Sequence, residues 1–265
     1  MPLLDFEKLS AQKPPKFVFS DLEKALNESI ALSTKNVKKC AVLFSGGVDS
    51  SFCAKLVAEK VSQTALFAVG LKDSHDLLQA KKSAELLKLS LEIVEIDSKK
   101  LLTIAKKVSK IIGSNDFFQL SIAIPEFIVL EKIKNSGYNI VFSGQGPDEL
   151  FLGYAVFPKL LKEKGENAVR KEQKHLFDVF EQRNVQRETK LAEYFSLDVR
   201  MPFLSEEFAL IALSIPVNEN LNNSLRKNVF RKLALHYGLP VEIALLPKKA
   251  IQYGSGISKA LKKTL

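Results

Sequence analysis

The amino-acid sequence predicts an α/β protein, with a doubly wound parallel sheet followed by an α-helical C-terminal half. The first observation is that short apolar runs alternate with amphipathic helical patterns from Lys38 to about residue 150. The second is that these runs are apolar throughout, which is typical of parallel strands covered by helices on both faces. The third is that no comparable run follows Asp148, where only helical periodicity continues.

The predicted elements follow one another in a regular order. A lead-in helix begins near Ser20, because Ser20-Asp21-Leu22-Glu23 has the pattern of a capping box and an apolar helical face follows it. Strands are predicted at 39–44, 65–69, 91–96 and 139–143. Helices are predicted near 50–61, 76–88, 98–111 and 122–135, and then near 150–163, 167–196, 204–214, 223–237 and 255–263.

These elements divide the chain into a lead-in, residues 1–37, and one larger domain, residues 38–265. Within the larger domain we expect an α/β core over 38–150 and a helical part over 151–265 that shares its site. A chain of 265 residues is long enough to bury the core that such an organisation needs.

Composition and cysteine content exclude several classes of protein. The chain is 46% hydrophobic and 26% charged, as in ordinary globular proteins, and no apolar run approaches the roughly 18 residues that a membrane span needs. The segment from Met1 to Lys8 carries acids where a signal peptide has a basic start. We therefore expect a cytoplasmic protein with no membrane partner. Cys40 and Cys53 form no CxxC pair, so we interpret both as core residues.

The net charge of +9 is concentrated near the C-terminus. Between Asn223 and Leu265 there are nine Lys and Arg residues and one acid, Glu242. A basic end of this kind suits a polyanion, either a nucleic acid or the triphosphate of a nucleotide. A solvated, lysine-rich surface is the alternative interpretation.

A glycine-rich turn joins the first strand to the next helix. Glycines let the backbone approach a ligand, and the N–H groups at the start of a helix attract anions. The turn lacks the Gly-Lys-Ser/Thr ending of a Walker loop. The pattern therefore predicts a phosphate-binding turn, and a turn that merely needs glycine for its shape is the alternative. The turn reads Ser45-Gly46-Gly47-Val48-Asp49-Ser50-Ser51.

The fourth predicted strand also runs into glycines and an acidic helix start. Because the carboxyl ends of parallel strands meet at one edge of a sheet, we expect both turns to contribute to a single site. This second turn reads Ser143-Gly144-Gln145-Gly146-Pro147-Asp148-Glu149-Leu150-Phe151-Leu152-Gly153-Tyr154.

Both turns resemble segments of a known family. The first is similar to the SGGxDS loop of the PP-loop ATP pyrophosphatases, whose fold is HUP-like. The second is similar to the SGEGxDELFxGY segment of asparagine synthetase B. Further similar segments follow in the family's order, at 69–77, 197–204, 223–227 and 246–249. The resemblance covers residues 38–256 and is to the synthetase domain of asparagine synthetase B.

The resemblance implies a reaction that uses ATP and Mg²⁺. A substrate carboxylate attacks the α-phosphorus, and the adenylate then passes its acyl group to ammonia or another amine. It implies Asp49 and Asp148 as metal ligands, and Lys248 and Asp148 as catalytic residues. Asp49 could instead be only a helix cap, and Lys248 only a surface lysine.

The resemblance also implies the residues that contact each part of the substrates. The adenine is expected against Leu43 and Val69. On the substrate side the implied residues are Gln145, Ser121 and Glu149. The implied ATP- and pyrophosphate-binding residues are Leu43, Ser45, Gly46, Gly47, Val48, Asp49, Ser50, Ser51, Val69, Gly70, Ser143, Gly144 and Lys248.

Three features depart from asparagine synthetase. Met1 is followed by Pro2, and only residues 1–37 precede the core, so we expect the N-terminal glutaminase domain with its cysteine to be lacking. Gln145 replaces the family's glutamate between two glycines, and an amide cannot accept a proton from an attacking amine. The stretch 116–125 is mostly apolar where the family has Thr, Ser and Arg, which argues against aspartate as the acceptor.

The leading hypothesis is an Mg²⁺-dependent, AMP-forming carbon–nitrogen ligase. Its partners would be a small-molecule acid and an ammonia or amine donor, and a separate glutaminase subunit is one source of the ammonia. Two alternatives stay open: an RNA-modifying enzyme that docks tRNA on the basic C-terminal half, and a non-catalytic nucleotide-binding subunit. A homodimer is a further open alternative.

Overall fold

The computed structural model describes residues 15–221, 226–247 and 256–264. Within them five parallel strands form one sheet, which confirms the predicted fold class. The strands are β1 (Lys39–Leu43), β2 (Gln63–Gly70), β3 (Leu91–Glu95), β4 (Ile140–Phe142) and β5 (Asp198–Arg200). Their order across the sheet is β3-β2-β1-β4-β5.

The central strand β1 is covered on both faces. Cys40, Ala41 and Val42 are each 0% exposed. Ala41 pairs with Ala65 of β2 on one side and with Val141 of β4 on the other. The chain leaves β1 toward β2 and β3 and later returns to the other side of β1 as β4. Such a reversal opens a crevice at the carboxyl ends of the two strands, and the two glycine turns follow these ends.

The fifth strand corrects the prediction that only helices follow residue 150. β5 pairs with β4, with Ile140 opposite Asp198 and Phe142 opposite Arg200. This strand has three residues, two of them charged, so it carries no apolar run that a sequence pattern could detect. Arg200 donates to Asp198 Oδ2 and to the Ser33 carbonyl oxygen, both at 2.6 Å, which ties the sheet edge to the lead-in helix.

Helices cover both faces of the sheet and make up most of the C-terminal half. The predicted lead-in helix is confirmed, but its N-cap is Val18 and no side chain caps it, so the capping box predicted at Ser20 is not formed. A π-helical segment, Glu181–Val185, interrupts the long helix predicted at 167–196. The α-helices are α1 (Phe19–Thr34), α2 (Val48–Ala58), α3 (His75–Leu87), α4 (Leu101–Ile112), α5 (Phe117–Asn135), α6 (Pro147–Leu150), α7 (Val156–Lys164), α8 (Glu166–Phe180), α9 (Gln186–Tyr194), α10 (Glu206–Ser214), α11 (Val217–Asn220), α12 (Asn228–His236), α13 (Val241–Ala244) and α14 (Ile257–Thr264).

Helix α5 begins at Phe117, well before the predicted start near 122. The Asp116 side chain caps it by accepting the Gln119 N–H at 2.8 Å, which satisfies one of the free N–H groups of the first turn. Phe118, Gln119 and Ile122 are therefore helical and line a cavity at the sheet edge.

Buried side chains fill the space on both faces of the sheet. Helices α1, α2, α3, α10 and α12 supply one layer, and α4, α5, α9 and α14 supply the other. Cys40 and Cys53 are buried in the first layer as free thiols, as the sequence predicts. In the part of the chain that the structure describes, no helix is both long and apolar enough to cross a membrane.

Candidate active site

A cavity of about 450 Å³ opens at the carboxyl ends of β1 and β4. Strand ends and the two glycine turns form one part of its lining, here called the turn side, and helices with the π-helical segment form another, called the helix side. The turn side comprises Leu43, Ser45, Asp49, Ser50, Val69, Ser143, Gly144, Gln145, Asp148 and Glu149. The helix side comprises Phe118, Gln119, Ile122, Glu126, Leu176, Val179, Phe180, Arg183, Asn184 and Arg187.

The first glycine turn is held in place by α3 and by its own serines. Gly46 has a φ of +74°, and a Cβ there would lie 2.7 Å from the Gln79 carbonyl oxygen, so only glycine fits. The Ser83 hydroxyl donates to the Gly46 carbonyl oxygen at 2.7 Å. The Ser45 N–H donates to Ser50 Oγ at 3.2 Å. These contacts fix the shape of the turn without a ligand.

Helix α2 starts inside this first turn. Gly47 is its N-cap in extended conformation, and Val48, Asp49 and Ser50 begin the helix. The N–H groups of a first helical turn have no acceptor within the helix, and the helix dipole favours an anion beside them. The turn is therefore suited to bind a phosphate.

The second glycine turn packs directly on the first. A Cβ on Gly144 would lie 2.8 Å from the Asp49 carbonyl oxygen, so the two main chains touch only because residue 144 is glycine. Gly146, with a φ of +106°, then starts α6. This packing brings the Asp148 carboxylate close to that of Asp49.

Asp49 and Asp148 converge on the ammonium group of a lysine from the C-terminal half. Lys227 Nζ lies 2.6 and 2.7 Å from the two carboxylate oxygens of Asp49 and 3.1 Å from Oδ1 of Asp148. The lysine side chain is 1% exposed. Burial lowers the pKa of Lys227, and the Asp49 carboxylate opposes this decrease. Three carboxylate oxygens thus surround one cation beside the cavity.

The same oxygens suit a divalent cation. Mg²⁺ binds carboxylates and usually takes its remaining ligands from waters and substrate phosphates. Among the described residues, no group of three or more His, Cys, Asp or Glu side chains forms a ready-made metal site. Asp49 and Asp148, next to a phosphate-binding turn, fit a cation that arrives with a nucleotide. The position of the Lys227 ammonium indicates that positive charge is stable there.

Glu149 lies next to this pair of carboxylates and is 2% exposed. The Tyr154 hydroxyl donates to Glu149 Oε1. Burial raises the pKa of Glu149 to about 7. Near neutral pH its carboxyl group therefore exchanges between charged and neutral forms, so it is a weaker candidate for a metal ligand than the two aspartates.

Gln145 lines the cavity, and a buried glutamate lies behind it. Gln145 Nε2 donates to Glu188 Oε2, and Glu188 is 0% exposed. Burial, and then the negative charge of Glu126, raise the pKa of Glu188 to about 8. A carboxyl group therefore lies one hydrogen bond away from the position where the amide replaces the family's glutamate.

A buried ion pair lies on the helix side. Arg187 Nε and Nη2 donate to the two carboxylate oxygens of Glu126 at 2.8 and 3.0 Å. Arg187 Nη1 donates to the side-chain oxygens of Gln119 and Asn184, both at 3.1 Å. Because protein groups already engage this guanidinium on every nitrogen, Arg187 shapes the cavity and leaves little capacity to bind a second anion.

Most of the predicted site residues lie at the cavity, and every residue of the turn side is one that the sequence predicts for the site. Gly46, Gly47, Val48 and Ser51 belong to the first turn but not to the lining, and Gly70 ends β2. Ser121 is not brought to the cavity: it is 1% exposed, and its hydroxyl donates to the Phe118 carbonyl oxygen at 2.7 Å. Lys248 lies outside the described residues. The roles of these residues stay predictions.

Two further residues of the site carry no local sequence signal that would assign them to it. Lys227 and Glu188 belong to types that are mostly exposed, so their burial cannot be read from the pattern. The one available clue for Lys227 is its place at the end of the family-like segment 223–227. Glu188 has no such clue.

Two of the described cations of the basic C-terminal segment are buried. Lys227 is 1% exposed and Arg231 is 4% exposed. Arg231 donates to the carbonyl oxygens of Ala244 and Leu246, so it holds the chain around α13 together. These two cations are part of the folded core around the site, and a tRNA partner stays a prediction.

A parallel sheet with two glycine turns and paired carboxylates at its switch point is the arrangement of the PP-loop class of α/β proteins. The chain belongs to the asparagine synthase family, because the model of that family matches residues 21–180 and 161–265.

Curated relatives agree with this assignment. A protein of Methanocaldococcus jannaschii, named "Putative asparagine synthetase (glutamine-hydrolyzing) 1", is 34% identical over 275 residues, which cover 91% of this chain and 50% of the relative. Asparagine synthetase B (glutamine-hydrolyzing) of Escherichia coli is 29% identical over 258 residues, which cover 90% of this chain and 45% of the relative. The chain thus spans about half the length of the curated relatives it matches.

Among solved structures, NMN synthetase from Francisella tularensis aligns over 94% of this chain and 87% of that chain. The TM-score is 0.48 and the sequence identity 14%. Nothing about the function of this chain follows from a likeness at that level.

Proposed function

We propose that this chain is an Mg²⁺-dependent ligase that uses ATP to adenylate a substrate carboxylate and then passes the acyl group to ammonia or another amine. The observation that carries the proposal is the meeting of two glycine turns, Asp49 and Asp148 at a cavity that also has a helix side. The turn side suits a triphosphate, and the helix side leaves room for an acid. Membership of the asparagine synthase family supports the same class of reaction.

The proposed reaction has two steps. A carboxylate oxygen bonds to the α-phosphorus while the bond to the bridging oxygen breaks, and the electron pair leaves with pyrophosphate. The amine nitrogen then bonds to the acyl carbon, AMP leaves with its oxygen, and the amine loses a proton. The N–H groups at the start of α2 are placed to stabilise the charge that develops on pyrophosphate. Mg²⁺, when bound, would neutralise phosphate charge.

The scheme proposes roles for four of the predicted residues, Asp49, Asp148, Lys248 and Gln145. Asp49 and Asp148 would hold the cation, and Lys248 would add positive charge at the phosphates. Gln145 can orient an amine through its amide oxygen but cannot take its proton. Glu188, one hydrogen bond behind Gln145, supplies a carboxyl group close to that position.

The helix side favours an acid with an apolar body. Arg187 is already engaged by Glu126. Arg183 also lines the helix side, but it is exposed, so it would stabilise a second carboxylate only weakly. Burying a second carboxylate here without a partner would be costly, so we propose a monocarboxylic acid over aspartate. The apolar side chains of the helix side are Phe118, Ile122, Leu176, Val179 and Phe180.

The experiment measures pyrophosphate release from ATP and Mg²⁺ with a panel of apolar monocarboxylic acids and aspartate, each with ammonium chloride or methylamine. An acid that supports release, labelled with ¹⁸O in its carboxyl group, should transfer one ¹⁸O atom to AMP. D49N and D148N should slow release by about 10²–10³-fold, because charge stabilisation of the leaving group is lost.

The matched control is D21N, which alters an exposed carboxylate on α1 and should release pyrophosphate at the wild-type rate. Label found in pyrophosphate, or release that D148N leaves unchanged, would contradict the proposal.

The nitrogen donor is a separate part of the proposal. Ammonia could arrive free or from a glutaminase subunit, and the names of the curated relatives include glutamine hydrolysis. Comparing ammonium, methylamine and glutamine as donors in the same assay distinguishes these sources. Amide product from glutamine with the isolated chain would contradict the need for a second subunit.

A further inference from the structure

Lys227 contacts both carboxylates of the turn side, although it is 178 positions from Asp49 in the sequence. Its Nζ is within 2.6 to 3.1 Å of three oxygens from Asp49 and Asp148. A lysine is rarely buried without paired negative charge. The Lys227 ammonium group is therefore a buried, structural part of this site.

The conformation and the hydrogen bonds of the main chain around Lys227 direct its side chain toward the site. Lys227 has a φ of +58° and forms the N-cap of α12. Such a left-handed backbone is uncommon for a lysine, so the neighbouring contacts must hold it. Arg231 Nε donates to the Arg226 carbonyl oxygen at 2.9 Å, and Arg226 Nη1 donates to the Gly153 carbonyl oxygen at 2.8 Å. These bonds tie the segment to α12 and to the second glycine turn.

The charges at this point determine what else can bind there. Asp49 and Asp148 together carry two negative charges, and Lys227 supplies one positive charge. A divalent ion placed between the same carboxylates would lie next to the ammonium group. Like charges repel strongly at short range in a poorly solvated site, so the lysine opposes such an ion.

We propose that Lys227 is the chain's own cation at the turn side. It occupies the position between Asp49 and Asp148, so a divalent ion enters only with the phosphates of the nucleotide, and one ion is bound per nucleotide. The proposal rests on the proposed function for the identity of the nucleotide, but its claim about the nucleotide-free site stands independently.

Mn²⁺ is the probe for the nucleotide-free site, because it prefers the same oxygen ligands as Mg²⁺ and its free ion gives an EPR signal. Wild-type protein should show no saturable Mn²⁺ binding without nucleotide. K227M should bind one Mn²⁺ per chain at least about tenfold more tightly than wild type, because the repelling charge is gone. K227M/D148N should lose this binding. Equally tight, saturable binding to wild type and K227M would overturn the proposal.

Thermal unfolding gives a second readout that does not depend on activity. K227M leaves two neighbouring carboxylates without their cation, so its Tm should be lower than that of wild type, and Mn²⁺ should restore it. K82M, which removes an exposed lysine on α3, should melt like wild type with and without Mn²⁺. An increase in Tm on adding Mn²⁺ that is the same for wild type and K227M would contradict the proposal. If K227M does not fold, the Mn²⁺ titration of wild type without nucleotide tests the proposal by itself. Saturable binding that D148N abolishes would overturn the proposal, and the absence of saturable binding would support it.

The count of ions per nucleotide separates this inference from the proposed function. With ATP present, wild type should bind one Mn²⁺ per ATP and K227M should bind two. Two ions per ATP in wild type would overturn the role of Lys227 and leave the proposed function intact. Absence of ATP binding would overturn the proposed function, while the nucleotide-free Mn²⁺ titration would still decide the role of Lys227.

Discussion

The turn side and the helix side of the cavity are built in different ways. On the turn side all the lining residues except Val69 come from two short stretches, 43–50 and 143–149. On the helix side they are single side chains brought together from distant helices, as with Glu126 and Arg187, which are 61 positions apart. Consecutive stretches leave a motif in the sequence and scattered side chains do not. The class of reaction can therefore be inferred from the sequence, whereas the acceptor depends on the helix side.

The largest expected effect comes from breaking the ion pair of the helix side. E126M leaves the Arg187 guanidinium buried and unpaired, which costs about 3–5 kcal/mol of unfolding free energy. We expect a decrease in Tm of roughly 10 °C, measured by thermal unfolding. Replacing both partners, in E126M/R187M, should recover part of the loss because no unpaired charge is left.

The matched control for this pair is exposed. Glu92 and Lys132 lie 3.3 Å apart with side chains 43% and 46% exposed, so E92M should cost at most about 1 kcal/mol. If E126M and E92M lower the Tm equally, the buried Glu126–Arg187 pair does not stabilise the helix side. That result would contradict the statement that the helix side depends on side chains brought together from distant helices.

A smaller effect is expected from a methyl group placed between the two turns. G144A would put a Cβ 2.8 Å from the Asp49 carbonyl oxygen, and overpacking of this kind costs about 2 kcal/mol. Moving the second turn away should also weaken ATP binding, measured by calorimetry. In G47A the nearest atom is Ser45 Oγ at 3.5 Å, so this variant should unfold at the wild-type temperature. A G144A protein as stable as G47A would contradict main-chain packing as the basis of the turn side.

The third effect is a pH dependence at the boundary of the two sides. The folded pKa of Glu188, about 8, lies above its unfolded value. The folded protein therefore binds the proton of the Glu188 carboxyl group more tightly than the unfolded chain does. The contribution of Glu188 to the free energy of unfolding is fully present below an unfolded pKa of about 4.3, and it is lost as pH rises through the folded pKa. E188Q stays neutral, so it should match wild type at pH 4 and melt at a higher temperature than wild type at pH 8.5.

E193Q, an exposed substitution on the same helix α9, is the control and should follow the wild-type curve of Tm against pH. Parallel curves for wild type and E188Q would mean that Glu188 does not change its charge in this range.

The parts of the fold that the sequence predicts are those with local signals. Strands β1 to β4 are apolar runs, and the lead-in helix has an apolar face whose residues are buried in the structure. Strand β5 is not predicted, because two of its three residues are charged and its pairing with β4 is set by tertiary structure. The π-helical segment 181–185 is not predicted because helical periodicity does not mark such a boundary. The start of α5 does carry a local signal, since Asp116 is followed three residues later by Gln119 at the spacing of a capping box, but periodicity alone does not use it.

The candidate site divides in the same way. Asp49, Asp148 and Gln145 are predicted from the two turns, and the structure brings all three to one cavity. The burial of Lys227 and Glu188 could not be predicted, because a charged residue is assigned to the surface unless its buried partner is known. Only the place of Lys227 at the end of the family-like segment 223–227 connects it with the site. The partners of Lys227 and Glu188 are distant in sequence and become visible only in the fold.

The most direct test of the central claim is a crystal structure with Mg²⁺ and α,β-methylene ATP, which cannot lose pyrophosphate. The proposed function predicts the β- and γ-phosphates against the N–H groups of residues 48–50, and the adenine against Leu43 and Val69. It also predicts the α-phosphorus facing the helix side, within reach of a bound acid. Phosphates bound away from the first turn, or an α-phosphorus turned away from the helix side, would contradict it.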